Sequence, residues 1–134
     1  MIDPKDCTII IPHLGESPES EYALDQCLTS LRETYSGKII VVVNGEKCAG
    51  EHILEQVSLI VMADQGQCKA VNAAAVTVNT PWIFVTNDDM VYPPGWFENL
   101  TADMLDDLCI SPKLVEPKKG ASTFIEYFCG GAGG

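Results

Sequence analysis

Four short apolar runs punctuate the chain: Cys7–Pro12 (CTIIIP), Lys38–Val43 (KIIVVV), Val57–Met62 (VSLIVM) and Trp82–Thr86 (WIFVT). Each has strand length and is rich in β-branched residues. None alternates strictly between apolar and polar positions, the pattern of a strand covered on both faces. Helical spacing fills the gaps. Ser17-Pro18 supplies an N-cap and a proline at the first helical position, and Glu19 and Glu21 suit the positive end of a helix. Leu24, Cys27, Leu28 and Leu31 then share one face, and Gly37 suits a C-terminal stop. Cys48–Gln56 is short and weakly patterned and is read as one or two turns of helix. Val71, Ala74, Ala75 and Val78 form a stripe of small residues able to approach a sheet closely.

After the fourth run, Pro93-Pro94-Gly95 opens a segment in which Phe97, Leu100, Met104 and Leu108 keep helical spacing. Leu108–Leu114 and Ser122–Phe128 read as two further strands. The order β-α-β-α-β-α-β predicts an α/β fold: a three-layer α/β/α sandwich around a mainly parallel, Rossmann-like sheet with right-handed crossovers. In such sheets ligands sit beyond the carboxyl ends of the strands. The 134 residues are expected to form a single domain.

Charge narrows the ligand classes. Eight basic and nineteen acidic residues give a formal net charge of −11, and the cations are scattered except for Lys118-Lys119. Nucleic-acid backbones and anionic membranes need clustered Lys and Arg, so neither is an expected partner. No stretch reaches the roughly 20 apolar residues of a membrane span, and the N-terminus does not read as a secretory signal; a cytoplasmic location is expected. Cys7, Cys27, Cys48, Cys68, Cys109 and Cys129 show no C-x-x-C spacing and are read as buried, reduced thiols rather than disulfides or zinc ligands.

The strand ends carry the polar chemistry: Pro12-His13-Leu14-Gly15, Asn44-Gly45-Glu46, Ala63-Asp64-Gln65-Gly66 and Asn87-Asp88-Asp89. No G-x-G-x-x-G or G-x-x-x-x-G-K-[ST] loop is present, which sets aside dinucleotide dehydrogenases and P-loop hydrolases. Asp88 and Asp89 are adjacent carboxylates that repel one another and would repel a phosphate. A hard divalent cation reconciles the two, because Mg²⁺ or Mn²⁺ takes one or two protein carboxylates together with phosphate oxygens. The plainer alternative is an acidic loop in which Asp88 caps the next helix.

In this order the segments resemble the N-terminal part of a family-2 glycosyltransferase of the GT-A fold. The resemblance rests on Thr8–Pro12, Leu24–Leu31 (LDQCLTSL), Lys38–Gly45 (KIIVVVNG), Asp64–Asn72 (DQGQCKAVN), Trp82–Asp89 (WIFVTNDD) and Pro94-Gly95-Trp96-Phe97, and spans about residues 7–115. It implies transfer of a sugar from a nucleotide-diphosphate donor (UDP-, GDP- or dTDP-linked) to a glycan, lipid or protein acceptor, assisted by Mg²⁺ or Mn²⁺. Asp89 is then the first metal ligand, with Asp88 second, contacting ribose or the metal through water. Pro12, the backbone near His13, Asn44, Asp64, Gly66 and Lys69 complete the nucleotide site.

The sequence departs from the family pattern in places. Asn44 stands where members often carry an aspartate, and the D-x-D motif reads Asn87-Asp88-Asp89. The family's general base lies in a segment expected beyond Gly134, so the chain is read as truncated at its C-terminus and of little activity alone. Two other readings stand beside the enzyme: a non-catalytic nucleotide-binding module lacking the base, and a doubly wound signalling domain with an acidic pocket. For single residues the plainer expectations are that His13 packs at a strand end and His52 is on the surface. Trp96 and Phe97 anchor a helix in the core, and Lys118-Lys119-Gly120 turns the chain.

Overall fold

The computed structural model describes residues 2–14, 18–44, 57–62 and 66–102, together with the backbone of 113–115 and 123–126. After a short 3₁₀ turn at Pro4–Asp6, the elements are β1 (Cys7–His13), α1 (Pro18–Thr34), β2 (Lys38–Asn44), β3 (Ser58–Met62), α2 (Gln67–Ala75) and β4 (Trp82–Val85). They are followed by β5 (Met90–Val91), α3 (Trp96–Thr101), β6 (Lys113–Val115) and β7 (Thr123–Glu126). Four parallel strands form the main sheet in the order β3-β2-β1-β4. The expected α/β sheet with helices on both faces is what the chain adopts.

Side-chain alternation in the two central strands makes the layers. Ile9, Ile11, Ile39, Val41 and Val43 point to one face, where they join Leu24, Cys27, Leu28 and Leu31 of α1 and an aromatic group built on Tyr35, Tyr92, Trp96 and Phe97. Ile10, Ile40 and Val42 point to the other, against Ala70 and Ala74 of α2. Alanines at the contact let α2 lie close to the sheet, as the small-residue stripe implied; Val71, Ala75 and Val78 flank it, half-buried.

Several expectations change. β1 and β2 are covered on both faces, but β3 and β4 are the outer strands of this sheet, and Leu59, Val61, Ile83 and Val85 are exposed among the described residues. An outer strand has one sheet neighbour, so an unbroken apolar run does not by itself place it centrally. α1 ends at Thr34, before Gly37. That glycine answers a steric need instead: a Cβ there would collide with the Pro4 carbonyl and the Tyr35 ring and hydroxyl. Cys68 is exposed, not buried, because it lies two residues before Ala70 and so on the far side of α2. Cys7 and Cys27 are buried free thiols, as expected.

A second, three-stranded sheet departs from the single sheet expected: β5 pairs parallel with β7, and β6 pairs antiparallel with β7. β7 falls within Ser122–Phe128, read as a late strand, whereas β6 overlaps Leu108–Leu114 only at Lys113 and Leu114 and runs on to Val115. The Cys48–Gln56 helix, Met104, Leu108, His52, Lys118-Lys119-Gly120 and Cys48, Cys109 and Cys129 lie outside the described residues.

The winding positions the site. From β1 the chain moves outward through α1 to β2 and on to β3, then returns through α2 to place β4 on the other side of β1. The direction of winding therefore reverses between β1 and β4. At such a reversal the two connections leave on opposite faces and open a crevice at the carboxyl ends of the adjacent strands.

Candidate functional site

A cavity of about 290 Å³ lies at that position, lined by Pro12, His13, Leu14, Asn44, Gly66, Gln67, Asn87 and Asp88. Each lining residue belongs to a strand's carboxyl end or to the segment that follows it. Pro12 and His13 close β1, and Asn44 closes β2. Gly66 and Gln67 open α2 after β3, and Asn87 and Asp88 follow β4. Gly66 is the N-cap of α2 with φ +96°, a conformation that side-chain-bearing residues rarely adopt, so the tight entry into the helix requires glycine.

The segment carrying the acids is tied down on both sides. The Thr86 N–H donates to the Ile10 carbonyl at 3.1 Å, adding one rung to the β1–β4 ladder before the chain leaves the sheet. Beyond it, the Cys27 thiol donates to the Asn87 carbonyl at 3.7 Å, and the Tyr92 N–H donates to Ser30 Oγ at 3.0 Å. The Tyr92 hydroxyl donates to Thr86 Oγ1. The buried Trp96 indole donates to Thr34 Oγ1 at 2.9 Å. Trp96 is therefore core, holding the post-β4 segment to α1. Asp88 does not cap the next helix, whose N-cap is Gly95.

At the centre is His13, whose imidazole is completely buried. Its Nδ1 lies 2.6 Å from Asp88 Oδ2, and its Nε2 lies 3.4 Å from Glu21 Oε1 in the first turn of α1. A carboxylate can only accept, so the shorter contact places a proton on Nδ1. Burial is the largest influence on the ring and disfavours its charged form. The hydrogen bond and charge of Asp88, followed by those of Glu21, together outweigh it and raise the His13 pKa above the ordinary histidine value. The second oxygen of Glu21, Oε2, is buried without a hydrogen-bond partner among the described residues.

The structure thus brings Pro12, His13, Asn44, Gly66 and Asp88 to one cavity. Asp89 is exposed next to it, and Lys69 is exposed on α2; neither lines the cavity. Asp64 lies outside the described residues. Sequence reasoning left Leu14, Gln67, Asn87 and Glu21 unassigned. Asn87 is legible within the Asn-Asp-Asp triplet, whereas the only sequence signal at Glu21 is the preference of an acid for a helix N-terminus.

Among the described residues no group of three or more His, Cys, Asp or Glu side chains is disposed to hold a metal. Asp88 has one oxygen committed to His13 while its side chain remains 26% exposed, and Asp89 is open. That donor set suits a hard cation that takes one or two carboxylates and completes its shell with phosphate and water, and does not suit an all-protein cage.

Compared with known families, the sequence matches glycosyl transferase family 2 over residues 8–120. The matched span includes the parallel sheet from Thr8 onward and every residue of the cavity. No curated protein matches the chain.

Proposed function

The chain belongs to glycosyl transferase family 2, and from that premise we propose that the cavity at the strand ends receives the nucleotide of a nucleotide-diphosphate sugar. The observation that carries this reading is the convergence of Pro12, His13, Asn44, Gly66 and Asp88 on one cavity where the winding of the sheet reverses. Asn44, buried at the end of β2, offers an amide donor and acceptor to the edge of a base. Gly66 lets a ligand approach the start of α2 without meeting a side chain. Asp88 and Asp89 face the ribose and a divalent cation.

Mg²⁺ or Mn²⁺ held there would supply positive charge to the diphosphate and to the leaving group as the bond to the anomeric carbon breaks. A protein of net charge −11 needs such a counter-charge to retain a diphosphate. Neither the acceptor nor the base that removes its proton is assigned to a described residue. Among those residues no helix is long and apolar enough to cross a membrane.

Calorimetry with UDP and GDP, with and without Mn²⁺, tests the proposal. Binding should depend on the metal, and Asp89→Ala should weaken it by about 3 kcal/mol, roughly two powers of ten, the usual scale for one well-placed electrostatic contact. Equal affinity with and without metal, or an Asp89→Ala protein that binds like the wild type, would rule out the cation-assisted pocket.

A further inference from the structure

We propose that His13 is a positioning residue that sets the orientation of Asp88 in the nucleotide cavity; the proposal rests on the donor-site reading above. His13 ends β1 and is paired in register with Val43 of β2, so its backbone is held within the main sheet. Asp88 is two residues beyond the last rung between β4 and β1, in a turn where Asp89 repels it. Left alone, a carboxylate in that place has rotamers facing solvent at little cost. The 2.6 Å contact from His13 Nδ1 selects one of them, and a hydrogen bond to a carboxylate is among the stronger kinds. Asp88 nevertheless lines the cavity with its side chain partly exposed, so the clamp orients the carboxylate without sealing it off.

The contact with Glu21 fixes the other side of the ring. A buried imidazole held by partners on two different elements, α1 and the post-β4 segment, is poorly able to flip, since rotation would leave polar nitrogens unpaired in the core. The clamp needs only a proton on Nδ1, which both the neutral Nδ1–H tautomer and the imidazolium carry. The Asp88 bond therefore does not depend on the ring's charge, whereas the Glu21 contact needs a proton on Nε2 as well, which only the imidazolium carries alongside that on Nδ1. Asp88 is preorganised before a ligand arrives, and the ligand avoids the entropic cost of ordering it.

A histidine that merely staples the fold would share the burial and the contacts, so the test separates donor position from stability. His13→Leu removes both ring nitrogens. His13→Asn keeps a donor near the place of Nδ1, and His13→Gln keeps one near the place of Nε2. Calorimetry with UDP, GDP and dTDP in Mn²⁺, with melting temperatures measured alongside, should show His13→Asn within about threefold of the wild type. His13→Gln and His13→Leu should bind at least about tenfold more weakly, the scale of one charge-assisted hydrogen bond. If His13→Leu does not fold, the Asn and Gln pair still decides. The proposal is overturned if a folded Leu or Gln variant binds like the wild type, if His13→Asn is as weak as His13→Gln, or if affinity follows melting temperature rather than donor position. A wild-type protein that binds none of UDP, GDP and dTDP in Mn²⁺ removes the donor-site reading and this proposal together, an outcome distinct from wild-type binding that the His13 variants leave unchanged.

Discussion

Replacing Trp96 with phenylalanine tests whether the aromatic cluster, rather than a ligand, is what the indole serves. Its ring centroid lies 4.6 Å from Tyr92, 5.4 Å from Phe84, 5.5 Å from Phe97 and 6.1 Å from Tyr35. Phenylalanine keeps most of these contacts but loses the indole N–H donated to Thr34 Oγ1. The Thr34 hydroxyl retains its own bond to the Ser30 carbonyl at 2.8 Å, so it is not orphaned, and the lost bond costs about 1 kcal/mol. The missing ring atoms leave a void of roughly 40 Å³, worth about 1 kcal/mol, with a similar loss from the removed apolar surface. The expected total is about 2–3 kcal/mol. At this chain length that lowers the melting temperature by roughly 10 °C, and circular dichroism during heating and in urea measures it. Affinity for UDP or GDP in Mn²⁺ should be unchanged at temperatures where the variant is folded. A stability loss below about 0.5 kcal/mol would refute the packing argument, since the hydrogen bond alone should exceed it. A tenfold loss of nucleotide affinity without a loss of stability would move Trp96 from the core to the ligand.

Burial pushes the Cys27 thiol up to about 12, and the charges of Asp88 and Asp89 act in the same direction. Above pH 9 the unfolded thiol ionises while the native one does not, so this residue's contribution to stability falls as pH rises from about 9 towards the native value. Chemical denaturation at pH 8.5 and pH 10 should show the wild type losing about 1 kcal/mol more than Cys27→Ala over that interval; parallel losses would contradict the assignment. Gly37→Ala should cost about 1–3 kcal/mol, because its Cβ meets backbone at Pro4 and the constrained ring of Tyr35. A melting temperature equal to that of the wild type would show that the Pro4–Tyr35 contact gives way easily.

Much of the scaffold could be read directly from residue order. β-branched runs such as Thr8–Ile11 and Ile39–Val43 have few alternatives to a covered strand. A stripe like Leu24, Cys27, Leu28 and Leu31 is helical whatever it packs against, and its burial follows the pattern. These are local properties, expressed within a few residues. The same locality places polar groups at the strand ends, and Pro12, His13, Asn44, Gly66 and Asp88, all legible there as candidates, converge on one cavity.

What residue order left open depends on partners distant along the chain. Met90–Val91 is too short to announce itself as a strand and becomes one by pairing with Thr123–Phe124. Exposure of Leu59 and Ile83 follows from the place of β3 and β4 at the margins of the four-stranded sheet, a matter of winding and not of composition. The contact between His13 and Asp88 joins residues 75 apart in sequence; neither residue's neighbours encode it. Hydrophobic periodicity reports which face of an element is buried, whereas a hydrogen bond across a crevice exists only after two strands have been laid side by side and their ends brought within 3 Å or so of each other.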